Sequence, residues 1–178
     1  KTYSIFDFIK LNTQYFTKHN VTNAKLESEL ILCNLFNCNR VDLYTNTKKN
    51  IGHKQFAIIT DYIKRRISGE PLQYILGSAY FYGRDFFVNK NVLIPRFDSE
   101  LIIDILKQSP FVNNLLEVGT GSGNLAITIA EENLAKNIIA TDISKEQIKI
   151  AKHNKNIICS KAKINFLVDD FFKNKINK

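Results

Sequence analysis

The stretch LLEVGTGSGNLAITIA, residues 115–130, is the part of the sequence that predicts the fold. Apolar residues come first, three glycines follow at alternate positions, and a helix-like apolar pattern comes last. A strand that ends in a glycine turn and continues into a helix brings backbone N–H groups to a charged, nucleotide-like ligand. We therefore predict a cofactor-binding loop at Gly119, Gly121 and Gly123.

The residues after position 110 alternate between two kinds of pattern. Short apolar strands (NNLLEV, NIIATD, KINFLV) alternate with helical segments (GNLAITIAEEN, SKEQIKIAKHNKN). This alternation predicts an α/β fold with a parallel sheet and right-handed crossovers. Asp142 ends the second strand, where its carboxylate is placed to accept hydrogen bonds from a ribose diol.

The glycine spacing separates cofactor classes. A dinucleotide fingerprint, G-x-G-x-x-G, would require glycine where Asn124 stands, and a P-loop would require Gly-Lys-Ser/Thr, which this loop lacks. The form acid-x-G-x-G-x-G, led by Glu117, resembles motif I of Rossmann-like S-adenosylmethionine methyltransferases. That cofactor offers an ammonium group and a ribose diol but no pyrophosphate, which suits Glu117 and Asp142. We predict S-adenosyl-L-methionine as the cofactor.

The chain before this region divides into two further parts. Residues 1–75 carry apolar stripes at helical spacing, with Ser4 as a cap, and predict a helical bundle. Residues 76–97 are rich in aromatic and β-branched residues broken by glycines, and predict a β-hairpin linker. Residues 98–178 then begin with a helix, FDSELIIDILKQS, that we expect to turn Leu101, Ile102, Ile105 and Leu106 inward.

Composition narrows the class of protein. The 178 residues are 44% hydrophobic, without an apolar run of membrane-spanning length or a signal-peptide pattern, so we expect a cytoplasmic protein. Three scattered cysteines and three scattered histidines predict neither disulfides nor a metal site. The net charge of +8 raises a nucleic-acid interpretation, but a solvated helix face is favoured for the basic run IKRRISG at 63–69.

The order of the segments, and above all VLIPRFDSE at 92–100, resembles the release-factor glutamine N5-methyltransferase family (HemK/PrmC) across essentially the whole chain. The family signature is V-L-I-P-R-P-x-T-E, from which this sequence departs at Phe97 and Ser99. Ser99 keeps the hydroxyl, whereas Phe97 removes the backbone restraint of a proline. The resemblance implies a helical domain that docks the release factor, a hairpin linker and a methyltransferase domain.

The resemblance also implies the reaction and the site. The family methylates the glutamine of the Gly-Gly-Gln motif in class 1 peptide chain release factors, so these factors would be the partners. We expect a monomer that contacts neither nucleic acid nor a membrane. Asp142 would bind the ribose. The other residues implied to bind the cofactor are Glu117, Gly119, Thr120, Gly121, Ser122, Gly123, Asp170 and Phe171. The glutamine pocket would be walled by Leu93, Pro95 and Arg96, although simple packing is an equal alternative for Leu93 and Pro95.

The family's catalytic signature, Asn-Pro-Pro-Tyr, does not occur in the sequence. We therefore assign no catalytic residue and expect the motif to lie beyond Lys178. The family's fourth strand pairs with the first, so NNLLEV would be left with a bare hydrophobic edge. We expect the 178 residues to be an incomplete piece of the enzyme, and a polypeptide ending at Lys178 to lack methyltransferase activity.

Two other functions remain open at this point. A related N-methyltransferase acting on nucleic acid would share the glycine loop, although the helical bundle and the VLIPR segment argue against it. A non-catalytic binding module would use residues 1–75 to dock a partner and keep the rest as a vestigial cofactor fold.

Overall fold

The computed structural model describes residues 3–46, 48–159, 161–171 and 173. The chain divides into two compact units, Lys1–Leu76 and Gly77–Lys178. The last residues of the predicted third region, 174–178, lie outside the described part. Within that described part, none of the helices has the length and apolar character needed to cross a membrane.

The first unit is helical, as the sequence predicted. Its helices are α1 (Ile5–Lys18), α2 (Ala24–Phe36), α3 (Arg40–Thr45), α4 (His53–Ile67) and α5 (Leu72–Leu76). The Ser4 hydroxyl accepts the N–H of Asp7 at 3.1 Å and so caps α1. Buried side chains from all five helices form one core, including Phe16, Leu32, Leu43, Ile59 and Leu72.

The basic run at the end of α4 differs from the predicted solvated face. Arg66 reaches α2 and pairs with Glu27 at 2.5 Å, with only 22% of the Arg66 side chain exposed. Arg65 pairs with Glu70 at 2.6 Å. The prediction was wrong for Arg66 because helical periodicity shows which way a side chain leaves its helix, not which carboxylate a neighbouring helix places there. Two of the three charges are thus neutralised within the unit, which weakens the nucleic-acid interpretation.

The second unit opens with the predicted hairpin. Strands β1 (Ser78–Phe81) and β2 (Arg84–Phe87) pair antiparallel, with Phe81 opposite Arg84. A short 3-10 turn, Phe97–Ser99, then leads into α6 (Glu100–Gln108).

Helix α6 does not bury the face that its sequence predicted. Ile103 is fully buried, whereas Leu101, Ile102 and Ile105 are 61%, 44% and 55% exposed. Only Leu106 of the predicted set packs against the core. The helix therefore contacts the core through Ile103 and Leu106, which are three residues apart. Which face of the helix is buried depends on the position of the neighbouring elements and not on the helix pattern alone.

The remaining elements form the predicted α/β layer: β3 (Val112–Val118), α7 (Asn124–Glu131), β4 (Ala135–Asp142), α8 (Lys145–Ile158) and β5 (Ile164–Val168). The described sheet has the order β3-β4-β5 and both pairings are parallel. Of the three strands in this sheet, central β4 has the most buried residues, and it pairs with a strand at each edge. Strand β3 lies at an edge of this sheet, with Leu116 and Val118 about half exposed. The described residues of the second unit thus include a parallel α/β layer of the Rossmann-like kind, and a helical unit precedes them in the chain.

Candidate functional site

The predicted cofactor residues gather at the carboxyl edge of the parallel sheet. Register places Val118, at the end of β3, opposite Thr141, and places Asp142, at the end of β4, opposite Val168. The glycine loop therefore leaves the sheet next to Asp142, and the segment after β5 leaves it on the other side. Ligands of open parallel sheets bind at this edge.

The start of the glycine loop is fixed to β4 by hydrogen bonds. The N–H groups of Gly119 and Thr120 both donate to the Thr141 carbonyl oxygen at 2.9 Å. In return, the Thr141 hydroxyl donates to the Glu117 carbonyl oxygen at 3.2 Å. Hydrogen bonds to β4 thus fix the position of the first residues of the turn.

Two of the three glycines leave space for a ligand. Gly119 and Gly121 have φ values of +80° and +55°, and a Cβ atom at either would meet no heavy atom of a non-neighbouring residue within 4 Å. A ligand that lies directly against the loop backbone requires such open space, so these two positions fit a nucleotide-like cofactor.

Gly123 has a different environment. A Cβ atom there would lie 3.1 Å from the Cβ atom of Ala151 in α8 and 3.0 Å from Cδ1 of Ile127. The third glycine therefore allows α8 to pack closely behind the loop. This packing accounts for the glycine without a ligand, and its predicted role at the cofactor stays a prediction.

Asp142 is nearly buried, at 5% exposure, and both of its oxygens accept backbone hydrogen bonds. Oδ2 accepts the N–H of Gly121 and Oδ1 accepts the N–H of Ser144, each at 3.0 Å. Each carboxylate oxygen has a second lone pair for another donor. The carboxylate is thus fixed beside the open turn, with acceptor capacity for hydroxyl groups.

Glu117 is a perturbed acid within the same cluster. Its Oε2 accepts the Thr120 hydroxyl at 2.8 Å and the N–H of Ala126 at 3.2 Å. Burial raises the pKa of Glu117 to about 7, and the nearby charge of Asp142 adds to the rise, although the two hydrogen bonds oppose it. A half-buried acid whose pKa is raised toward neutrality is typical of a functional site.

The side chains of Thr120 and Ser122 point into the protein. Thr120 is 2% exposed and spends its hydroxyl on Glu117. Ser122 is fully buried, with its hydroxyl 3.1 Å from Oδ1 of Asn124. Of their predicted roles at the cofactor, only contacts through the backbone suit this arrangement.

The other predicted site residues lie in two segments outside the glycine loop. Asp170 and Phe171 follow β5, and the Asp169 N–H donates to the Asp142 carbonyl oxygen at 3.0 Å, so this segment begins beside Asp142. The wall residues lie between β2 and α6, where Leu93 and Arg96 are exposed and Pro95 is half-buried. The Ser99 N–H donates to the Arg96 carbonyl oxygen at 3.1 Å, so the segment with Phe97 in place of proline still turns into α6.

Sequence reasoning missed Asn154, which is 1% exposed and contacts the glycine loop. Its side-chain amide donates to the Ser122 carbonyl oxygen at 2.8 Å. One signal in the sequence could have found it. Ile148, Ala151 and Asn154 share the inner stripe of α8, and a polar residue in a buried stripe requires partners.

The cysteines form no disulfide among the described residues. Cys33, Cys38 and Cys159 are free thiols, and burial raises the pKa of Cys33 and of Cys159 to about 11. Among the described residues, no three His, Cys, Asp or Glu side chains come together as a metal site would require.

Comparison with known families identifies both parts of the chain. A model of the PrmC N-terminal domain matches residues 8–77, and a model of a methyltransferase domain matches residues 113–177. The release factor glutamine methyltransferase of Bacillus cereus is 39% identical over 132 residues, which cover 71% of this chain and 47% of that protein.

Two further relatives extend the match along the chain. The release factor glutamine methyltransferase of Chlorobaculum tepidum is 30% identical over 178 residues, covering 96% of this chain and 60% of the relative. A bifunctional methyltransferase of Rickettsia bellii is 33% identical over 181 residues, covering 85% of this chain and 33% of the relative. The chain thus spans between a third and three fifths of the length of these curated relatives.

Proposed function

The chain belongs to the release factor glutamine methyltransferase family, and from this premise we propose that its second unit binds S-adenosylmethionine for methyl transfer to a protein. The proposed acceptor of the whole protein is N5 of the glutamine in the Gly-Gly-Gln motif of class 1 peptide chain release factors. The names of these relatives, release factor glutamine methyltransferases, support release factors as the partner class.

In this proposal different residues at the sheet edge contact different parts of the cofactor. The backbone at Gly119 and Gly121 supports the methionine part, the Glu117 carboxylate lies near its ammonium group, and Asp142 accepts hydrogen bonds from the ribose. Asp170 and Phe171 border the adenine. When bound, the cofactor supplies a methyl group that its sulfonium makes electrophilic.

One observation carries the cofactor assignment. The Gly121 N–H donates to the Asp142 carboxylate across the mouth of the open turn, so the backbone that would meet the methionine part and the acid that would meet the ribose are held in one fixed arrangement. Pre-organised acceptors beside open backbone favour binding because little ordering is left for the ligand to cause.

The proposal for the acceptor side is supported by the family and by the order of segments along the chain. We propose that residues 1–75 dock the release factor, that 76–97 serve as the hairpin linker and that 98–178 form the first part of the methyltransferase domain. Leu93, Pro95 and Arg96 would wall the glutamine pocket. A glutamine amide nitrogen is a poor nucleophile, because its lone pair is delocalised into the carbonyl, so such a pocket would act mainly by positioning.

Calorimetric titration with S-adenosylmethionine tests the cofactor assignment. We expect Asp142→Ala to weaken binding by about 1–3 kcal/mol, because charge-assisted bonds to the ribose are lost. Asp85→Ala, which removes an exposed carboxylate from β2, serves as the matched control and should bind like the wild type. An unchanged affinity in Asp142→Ala would reject the role of that residue.

Methyl transfer by the whole protein tests the acceptor. Labelled methyl from S-adenosylmethionine should appear in a class 1 release factor and should be lost when the Gly-Gly-Gln glutamine of the factor is replaced by alanine. Label that appears only in RNA or DNA would contradict the proposal and favour a nucleic-acid methyltransferase.

A further inference from the structure

Asn154 connects two segments of the second unit that are far apart in sequence. It lies in α8, one turn after Ala151, and its side chain is almost completely buried. The hydrogen bonds of a buried amide side chain are strongly directional, and each one left unmade is costly. The identities of its partners therefore show what the residue holds in place.

The first partner is the end of the hairpin. The Phe87 N–H donates to Oδ1 of Asn154 at 2.8 Å, and Nδ2 of Asn154 donates to the Phe87 carbonyl oxygen at 3.0 Å. The side-chain amide thus pairs with the backbone at the end of β2 as a neighbouring strand would. The rings of Phe87 and His153 add an edge contact, with centroids 5.2 Å apart.

The second partner is the glycine loop. The other proton of Nδ2 goes to the Ser122 carbonyl oxygen at 2.8 Å, so both amide protons of Asn154 are used. One turn earlier, Ala151 packs so closely against Gly123 that a Cβ atom at that glycine would lie only 3.1 Å from the Cβ atom of Ala151. Helix α8 therefore holds the loop from behind at two adjacent residues.

The hairpin end leads directly into the segment proposed to wall the acceptor pocket. Four residues after Phe87, the Asn91 carbonyl oxygen accepts Nε2 of Gln147, also in α8, at 3.0 Å. Residues 92–97 follow without a break. One helix thus fixes the loop proposed to hold the methyl donor and the root of the segment proposed to meet the methyl acceptor.

We propose that Asn154 is a positioning residue that couples the glycine loop to the hairpin end, and so sets the place of the acceptor wall relative to the methyl donor. The roles of the two segments as donor and acceptor sides rest on the proposed function, whereas the coupling between the glycine loop and the hairpin end does not. Among side chains of this length, only asparagine supplies one acceptor and two protons in this arrangement. Aspartate keeps the acceptor for the Phe87 N–H and loses both donors.

Hydrogen exchange of the whole protein, with and without S-adenosylhomocysteine, tests the coupling. In the wild type, we expect the ligand to slow exchange at the glycine loop and also at the Phe87 amide. In Asn154→Asp the ligand should still slow exchange at the glycine loop. The slowing at the Phe87 amide should be about tenfold smaller than in the wild type, because the bond to Ser122 is missing. Asn156→Asp, at an exposed position of the same helix, should behave like the wild type.

The outcomes separate the coupling from the proposed function. A Phe87 amide that responds to the ligand equally in Asn154→Asp would overturn the coupling. A wild type in which the ligand slows exchange nowhere would count against the proposed function alone.

If the ligand slows exchange nowhere in the wild type, exchange rates measured without ligand test the coupling. Asn154→Asp should then exchange the Gly123 amide about tenfold faster than Asn156→Asp, with β4 unchanged, and equal rates would overturn the coupling. If Asn154→Asp exchanges faster throughout β4 as well, Asn154 stabilises the whole fold and the coupling is likewise overturned.

Discussion

If the proposed S-adenosylmethionine site is correct, replacing Glu117 with glutamine is expected to remove the protein's own share of the pH dependence of binding between pH 6 and 8. Burial raises the pKa of Glu117 to about 7, so the acid changes charge within this range. If its carboxylate lies near the ammonium group of the cofactor, the ionised form binds and the protonated form does not. Affinity should therefore rise with pH as Glu117 loses its proton.

The size of the effect follows from that pKa. An acid with a pKa of about 7 is about one tenth ionised at pH 6 and about nine tenths ionised at pH 8. Relative to that of Glu117→Gln, the wild-type affinity should therefore rise about tenfold across this range, which corresponds to about 1.4 kcal/mol. Because a cation lowers the pKa of the acid that it contacts, binding at pH 7 should release about half a proton from Glu117.

Calorimetry at pH 6, 7 and 8, in two buffers of different ionisation enthalpy, measures both the affinity and the proton release. The amino group of the ligand titrates equally for every variant, so the difference between wild type and Glu117→Gln isolates the protein group. Glu146→Gln, at an exposed acid of α8 that pairs with Lys149, is the matched control and should keep the wild-type dependence. An identical pH dependence in Glu117→Gln, or a wild-type affinity that falls relative to that of Glu117→Gln as pH rises, would refute the reasoning.

Three further predictions concern stability. Because the folded state raises the pKa of Glu117, its contribution to the free energy of unfolding should fall by at most about 3 kcal/mol between pH 4.5 and 7, and urea titrations should show a weaker decline in Glu117→Gln. Gly123→Ala should cost about 1–3 kcal/mol more than Gly119→Ala in the same assay, because both have positive φ but only Gly123 faces α8, and equal losses would contradict this packing. Arg40→Ala should cost about 2 kcal/mol, because it leaves the fully buried Glu29 carboxylate without its cation; adding Glu29→Gln should recover part of the loss, and no recovery would contradict the charge argument.

The sequence was sufficient wherever neighbours along the chain decide the structure. The glycine turn after β3, the Ser4 cap of α1, the hairpin and the strand–helix alternation all follow from backbone preferences within a few residues. The position of Asp142 at the sheet edge follows as well, because the carboxyl ends of parallel strands meet at one edge.

Only the tertiary structure decided which way side chains face and what they contact. It turned Ile103 inward on α6, paired Arg66 with Glu27, used Gly123 for packing against α8, and placed Asn154 between segments 67 and 32 residues away. Such contacts depend on how elements pack across the fold, and local preference contains no information about a partner so distant in the chain. The sequence by itself therefore determined where the glycine loop lies, and tertiary packing determined which of its residues face open space and which are held by α8.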